Sequence, residues 1–187
     1  RVLTALLCGA ALATSGAAYQ SMFMNPLVSP ALLGVLAGAA FGASLGMLIS
    51  NNILVAQFFA FGFGIAAVAT AVMLARFFPG NRLIMLIMGG VISSSLFTSL
   101  LSVIKFVADT QNELPAIVYW LMGGFSAVSS SAAAMVLPFV GIGIVLIIAM
   151  SGYLNVLSMG DEEAASLGVD VKRIRVLLIV ITTLISS

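Results

Sequence analysis

The chain has no histidine, one cysteine and one tryptophan, and only 7% of its 187 residues are charged. Each shortage removes a class of chemistry. Without histidine there is no ordinary general base near neutral pH and no imidazole metal ligand. The lone Cys8 allows neither an internal disulfide nor a cysteine metal site, and within its apolar run it reads as a small hydrophobe. The six acids fall in expected loops or at the ends of expected spans. No serine or cysteine therefore has a base within reach, and no carboxylate sits at mid-depth for a proton or ion relay. The chain reads as a non-enzyme that binds no cofactor or metal of its own. A net charge of +1 carries no nucleic-acid signal, because phosphate binding needs clustered Lys and Arg on an exposed face.

What is present in excess is apolar surface. Hydrophobic residues make up 62% of the chain, far more than one soluble core of this length encloses, so the expected surroundings are a lipid bilayer. Apolar runs separated by breakers predict an all-α, polytopic transmembrane bundle with five complete spans and the start of a sixth. They cover residues 2–24, closed by Asn25-Pro26; 31–50, closed by Asn51-Asn52; 53–78, closed by Pro79-Gly80; 82–107; 132–153; and the beginning of a helix near residue 171. The sequence opens directly on an apolar run and stops roughly half a span into the sixth helix. The expectation is the middle of a longer protein, with residues 1–187 forming one membrane domain.

Positive charge orients the spans. If the first enters from outside, Arg76, Arg82, Lys172, Arg173 and Arg175 face the cytoplasm, and Arg1 and Lys105 lie outside, as the positive-inside rule requires. Lys105 can snorkel to the outer interface. Within the membrane, Gly34, Gly38, Gly42 and Gly46 recur on every fourth residue of the second span. This stripe predicts close backbone packing against a neighbouring helix. Gly9, Ala13, Gly16 and Ala17 repeat the pattern more loosely in the first span. The ten methionines are scattered, which suits gap-filling in apolar packing better than thioether ligation of a soft metal.

Two polar connections stand out. The outer one, residues 108–131, carries Asp109, Glu113 and Pro115 and then AIVYWLMGGF, where Tyr119 and Trp120 suit an interfacial belt and Gly123-Gly124 ends a short helix. It reads equally as an anchor at the interface or as a lid at the outer mouth. The inner one is GDEEAASLGV, residues 160–169, followed by Lys172, Arg173 and Arg175. It is either a solvated loop or a docking element for a soluble protein. Residues 161–167 give only about two helical turns, closed by Gly168, and a helix that short needs a surface to rest on. Asp161, Glu162 and Glu163 at its start suit the helix dipole.

Three segments together, NPLVSPALLGVLAGAAFGA (25–43), YWLMGGF (119–125) and GDEEAASLGV (160–169), resemble signatures of the permease subunits of FecCD-like (BtuC-type) ABC importers, which bring ferric siderophores, haem, cobalamin or related metal chelates into bacteria. The resemblance runs over essentially the whole chain. It implies a ten-span permease of the bacterial cytoplasmic (inner) membrane, of which this sequence corresponds to the second span through the start of the seventh. It also implies a homodimer with the translocation path at its interface, two cytoplasmic ATPases that bind ATP and Mg, and an extracytoplasmic substrate-binding protein. By the same resemblance, residues 158–170 hold the coupling helix that seats in the ATPase, formed by Gly160, Asp161, Glu162, Glu163, Ala164, Ala165, Ser166, Leu167 and Gly168. Arg1 matches an arginine that meets carboxylates of the binding protein. Pro79, Gly80 and Asn81 match the cytoplasmic gate, although similar permeases often carry small hydroxyl residues where this chain has Gly80-Asn81. An ion-coupled secondary transporter would instead call for broken helices and ionisable groups at mid-membrane, and a non-transporting membrane scaffold is the remaining alternative.

Overall fold

A computed structural model describes residues 1–26, 28–50, 52–77, 82–124 and 130–186. Among the described residues it is helical throughout. The helices are α1 (Val2–Phe23), α2 (Val35–Ile49), α3 (Ile53–Phe77), α4 (Arg82–Val107), α5 (Glu113–Met122), α6 (Ser130–Ala149), α7 (Ser151–Leu157), α8 (Asp161–Ser166) and α9 (Val171–Ser186), with a 3₁₀ turn at Pro30–Leu33 before α2. Three of them, α1, α3 and α4, are apolar and long enough to cross a bilayer, and α6 with α7 make a fourth, bent candidate.

Two expected spans take a different form, for local reasons. The second is not one continuous helix. Pro30 opens a 3₁₀ turn, and Gly34 adopts a left-handed conformation (φ 81) that interrupts the helical hydrogen bonding. The remaining 15-residue α2 rises about 22 Å, short of the ~30 Å hydrocarbon thickness. Gly34 thus caps α2, and its close packing is against α4, where a Cβ would stand 3.2 Å from the Ser94 backbone nitrogen. The fifth span runs on to Leu157 but bends by 56° between α6 and α7. The bend falls at Met150, beside Ser151-Gly152, and not at Pro138; a Gly/Ser pair is a common site for such a kink.

The chain divides into two compact units, Arg1–Pro30 with Phe125–Ser186, and Ala31–Gly124. The second is built on backbone proximity. A Cβ on Gly38 would run into the Phe63 carbonyl, one on Gly42 into the Phe59 carbonyl, and one on Gly46 would stand 2.7 Å from Ala56 Cα. The partners descend along α3 as the glycines ascend α2, so the two helices pack antiparallel with almost nothing between their backbones. Helix α4 repeats this with Gly89 against the Ala71 carbonyl and Gly90 against the Leu32 carbonyl. Buried Ser93 donates 2.7 Å to the Ala67 carbonyl, tying α4 to α3. Phe41, Phe63 and Phe97 fill the junction of the three helices, with ring centroids 4.9 to 6.4 Å apart. Helix α5 anchors on fully buried Ile117, which packs with Ile104 and Ala108, and Gly123 ends it through an N–H to the Trp120 carbonyl.

In the first unit, α1, α6 and α9 pack together with α7 and α8 beside them. Gly143 makes room for Ile185. The seam of α1 and α9 is polar for a membrane protein: Ser15, Tyr19, Thr182 and Thr183 are all buried. The Thr182 and Thr183 hydroxyls donate to carbonyls of their own helix, Leu178 and Ile179. That arrangement satisfies a hydroxyl without a cross-helix partner.

Candidate functional site

The inner polar connection is the best-defined candidate. Helix α8 has only six residues, and its ends account for its existence. At its start Gly160 is the N-cap, and the Glu163 carboxylate folds back over it so closely that a Cβ there would stand 2.7 Å from Oε2. Three acids occupy the first turn, where the unsatisfied N–H groups favour negative charge. At its end the Gly168 N–H bonds to the Ala165 carbonyl at 3.0 Å and the Val169 N–H to the Ala164 carbonyl at 3.1 Å. This is the Schellman pattern, and it needs the left-handed Gly168 (φ 78) just past the helix. Asp170 then caps α9 by accepting from the Arg173 N–H at 3.1 Å.

The two faces of α8 differ. Ala164 is completely buried and Asp161 is turned the same way, one helical turn earlier. Glu162, Glu163, Ala165, Ser166 and Leu167 are exposed. Met159, just before the helix, and Leu167, at its C-cap, are each 61% exposed. In sequence the two bracket Glu162 and Glu163, so exposed apolar and acidic side chains alternate through this connection.

Arg175 holds α8 in place. Its guanidinium forms a two-point bridge to Asp161, with Nη2 to Oδ1 at 2.7 Å and Nη1 to Oδ2 at 3.2 Å. Nη2 also reaches the Met22 carbonyl in the last turn of α1, at 3.5 Å. The Arg175 side chain is 9% exposed and that of Asp161 43%. The charges alternate along this line: the negative carbonyl end of α1, the guanidinium, the Asp161 carboxylate, and the positive N–H end of α8. Every neighbouring pair attracts. The Arg173–Asp170 pair is unlike it, because its side chains are 88% and 52% exposed and such a pair contributes little.

Sequence reasoning grouped Arg175 with Lys172 and Arg173 as one basic cluster and missed its separate role. The signal was in the spacing, since Arg175 lies on the helix face of Leu178, Ile179 and Thr182, all buried, whereas Lys172 and Arg173 lie on the exposed face. A second feature went unread. Ser95, Thr98, Ser99 and Ser102 form an exposed hydroxyl stripe along α4, with Ser95, Ser99 and Ser102 each bonded to the carbonyl four residues back. Arg1 is exposed just before α1. Pro79, Gly80 and Asn81 lie outside the described residues. Among the described residues no group of three or more acidic, histidine or cysteine side chains could hold a metal.

Comparison with known proteins agrees on one family. The model of the FecCD transport family matches residues 1–187. The molybdate import system permease protein MolB of Haemophilus influenzae is 40% identical over 96% of this chain and 53% of its own length. The vitamin B12 import system permease protein BtuC of Yersinia enterocolitica is 34% identical over 96% of this chain and 53% of its own length. A solved structure assigned as a metal-chelate type ABC transporter, in an inward-facing conformation, superposes with a TM-score of 0.91 at 35% identity, covering all of this chain and 59% of that one. The chain spans about half the length of the curated relatives it matches.

Proposed function

The chain belongs to the FecCD transport family, and from that premise we propose that it is part of the permease subunit of a binding-protein-dependent ABC importer in the bacterial inner membrane, moving a metal complex into the cytoplasm. ATP, with its Mg, is hydrolysed on separate ATPase subunits, and α8 is the coupling helix that docks on them. The observation that carries this reading is the geometry of α8: two turns, closed at both ends, one face fixed to the bundle and the other offering Met159 and Leu167 amid acids. A matching surface on the ATPase is a shallow apolar cleft with basic residues at its rim.

The substrate follows from shared chemistry. Molybdate and vitamin B12, named for two relatives, are both metals already wrapped in tightly held ligands. A carrier of such complexes has no need to strip and religate the metal. It needs a wide, weakly polar path, and the hydroxyl stripe of α4 suits one wall of such a path between two copies of the permease. Arg1 is the residue proposed to meet a carboxylate of the binding protein, and Pro79, Gly80 and Asn81 to form the inner gate.

The test uses the full-length permease expressed with its ATPase. Met159→Asp combined with Leu167→Asp changes only exposed side chains and leaves Asp161 intact. The double variant is expected to insert normally and to lose most of the ATPase that co-purifies with the unaltered permease. Undiminished recovery of the ATPase sinks the docking role of α8. Uptake that follows an ion gradient without ATP sinks the importer altogether.

A further inference from the structure

A lever works only if it is fixed to what it moves. Helix α8 has six residues, too few to hold their own shape, and on its C-terminal side it continues into α9 through Gly168 and Val169. Backbone continuity alone would let α8 pivot about that junction. The Asp161–Arg175 bridge joins the opposite end of α8 to the second turn of α9, 14 residues on. The same guanidinium touches the Met22 carbonyl at the end of α1, a residue far away in sequence. One buried side chain therefore connects three helices, each near its terminus.

We propose that the Asp161–Arg175 pair is the brace that transmits displacement of α8 to α1 and α9, so that these two residues position the coupling helix for transport without touching either substrate or nucleotide. The proposal rests on the importer reading and names where the force enters the membrane helices. A planar, two-point contact resists rotation as well as separation, which a single hydrogen bond does not. Arg175 Nε is buried without a hydrogen-bond partner, so the guanidinium spends its buried bonding on this one connection and on α1. With the bridge cut, α8 still docks through its outer face, but its movement is spent on pivoting.

The experiment separates docking from coupling in the full-length permease reconstituted with its ATPase and binding protein. Three readings are taken together: ATPase recovered on the permease, ATP hydrolysis with and without loaded binding protein, and uptake of molybdate, vitamin B12 and a ferric hydroxamate. Arg175→Met is the first variant, chosen because Arg175 lies on α9, outside the docking helix, and methionine fills its apolar site while Asp161 stays within reach of water. It is expected to retain the ATPase and its basal hydrolysis while uptake falls roughly tenfold, within the range of ordinary coupling free energies. The second is Asp161→Cys with Arg175→Cys in a full-length background from which every other cysteine, Cys8 included, has been replaced by serine. Joining the two thiols with a short reducible crosslinker is expected to return uptake, and reduction to remove it again, within one preparation. A residue that merely supports folding would not give a reversible recovery. The proposal is overturned if Arg175→Met takes up substrate at the unaltered rate, or if the crosslinked protein stays as inactive as the reduced one. Failure of the unaltered permease to hold its ATPase overturns the importer reading instead, and the brace with it.

Discussion

The two compact units are held together by opposite means. In Ala31–Gly124 the helices touch backbone to backbone, with Gly38, Gly42, Gly46, Gly89 and Gly90 leaving no room for even a methyl group. Among its described residues the cross-helix polar contact of note is Ser93 with the Ala67 carbonyl. In the other unit, α1 and α9 meet along buried hydroxyls and at a buried guanidinium. Lipid offers no hydrophobic drive for helices to associate, so a membrane bundle has two recourses, close dispersion contact and polar pairing. The first fixes geometry, because interpenetrating backbones cannot slide. The second fixes particular points, because buried hydroxyls and one guanidinium single out where α1, α8 and α9 meet, around the large buried side chains of Tyr19, Met22 and Leu178. The glycine-packed unit is thus a fixed frame by backbone contact, and the other unit holds its short lever, α8, by polar pairing.

The sharpest way to break that contrast is to overfill the glycine seam. Gly42→Leu places a branched side chain where the Phe59 carbonyl and Phe63 Cβ already stand. Neither neighbour is a flexible chain end, so the helices must part. The expected loss is on the order of 3 kcal/mol, at the upper end of ordinary overpacking, seen as a collapse in monodisperse yield and in thermal stability in detergent. A Gly42→Leu permease as stable as the parent would mean that α2 and α3 are not locked. The same substitution at Gly141, which has nothing within 4 Å, is the matched control and should leave stability unchanged.

A smaller effect distinguishes the two ends of the bridge. Asp161→Asn strands a buried cation, at a cost of about 2 kcal/mol, below the range for fully enclosed pairs because Asp161 is itself half-exposed. Arg175→Met leaves a carboxylate that water can still reach, and the methionine fills the apolar site. Its cost is about 1 kcal/mol or less. The order of the two, read as detergent melting temperatures of the full-length variants, is the test. Equal losses would show that the guanidinium is more solvated than its 9% exposure indicates.

Much of this was legible in the residues. Charge scarcity and breaker positions placed α1, α3 and α4 within a residue or so, and the acidic decapeptide marked α8 and its closing glycine. What escaped had a physical cause in each case. Gly34 sits in register with Gly38, Gly42 and Gly46, but with its left-handed backbone after the turn at Pro30 its close approach is to Ser93 and Ser94 of α4 and not to α3. The bend at Met150 lies three residues before the end of the fifth expected span, and uninterrupted hydropathy across it gives no warning. Arg175 is separated from Lys172 and Arg173 by helical phase alone. In a chain so rich in apolar residues, composition identifies spans readily, while the direction each rare polar side chain faces depends on the helix phase and on neighbours that are distant in sequence.

The smallest expected effect concerns how α8 ends. Gly168 has a left-handed backbone and open space around the position of a Cβ, so Gly168→Ala introduces strain without a clash. The expected cost is about 1 kcal/mol, the ordinary penalty for an alanine in this conformation. The strain is confined to the Schellman turn that links α8 to α9, where the Gly168 and Val169 N–H groups meet the Ala165 and Ala164 carbonyls. Melting temperature should fall by only a few degrees or less, because few contacts of the bundle depend on that turn. ATPase recovery should fall more noticeably, since a frayed last turn misplaces Leu167 on the outer face. Gly168→Asn, whose side chain tolerates left-handed geometry better, should recover most of the loss. If alanine and asparagine behave alike, the turn is not what holds Leu167 in position, and the contrast between a fixed frame and a positioned lever weakens at its most local point.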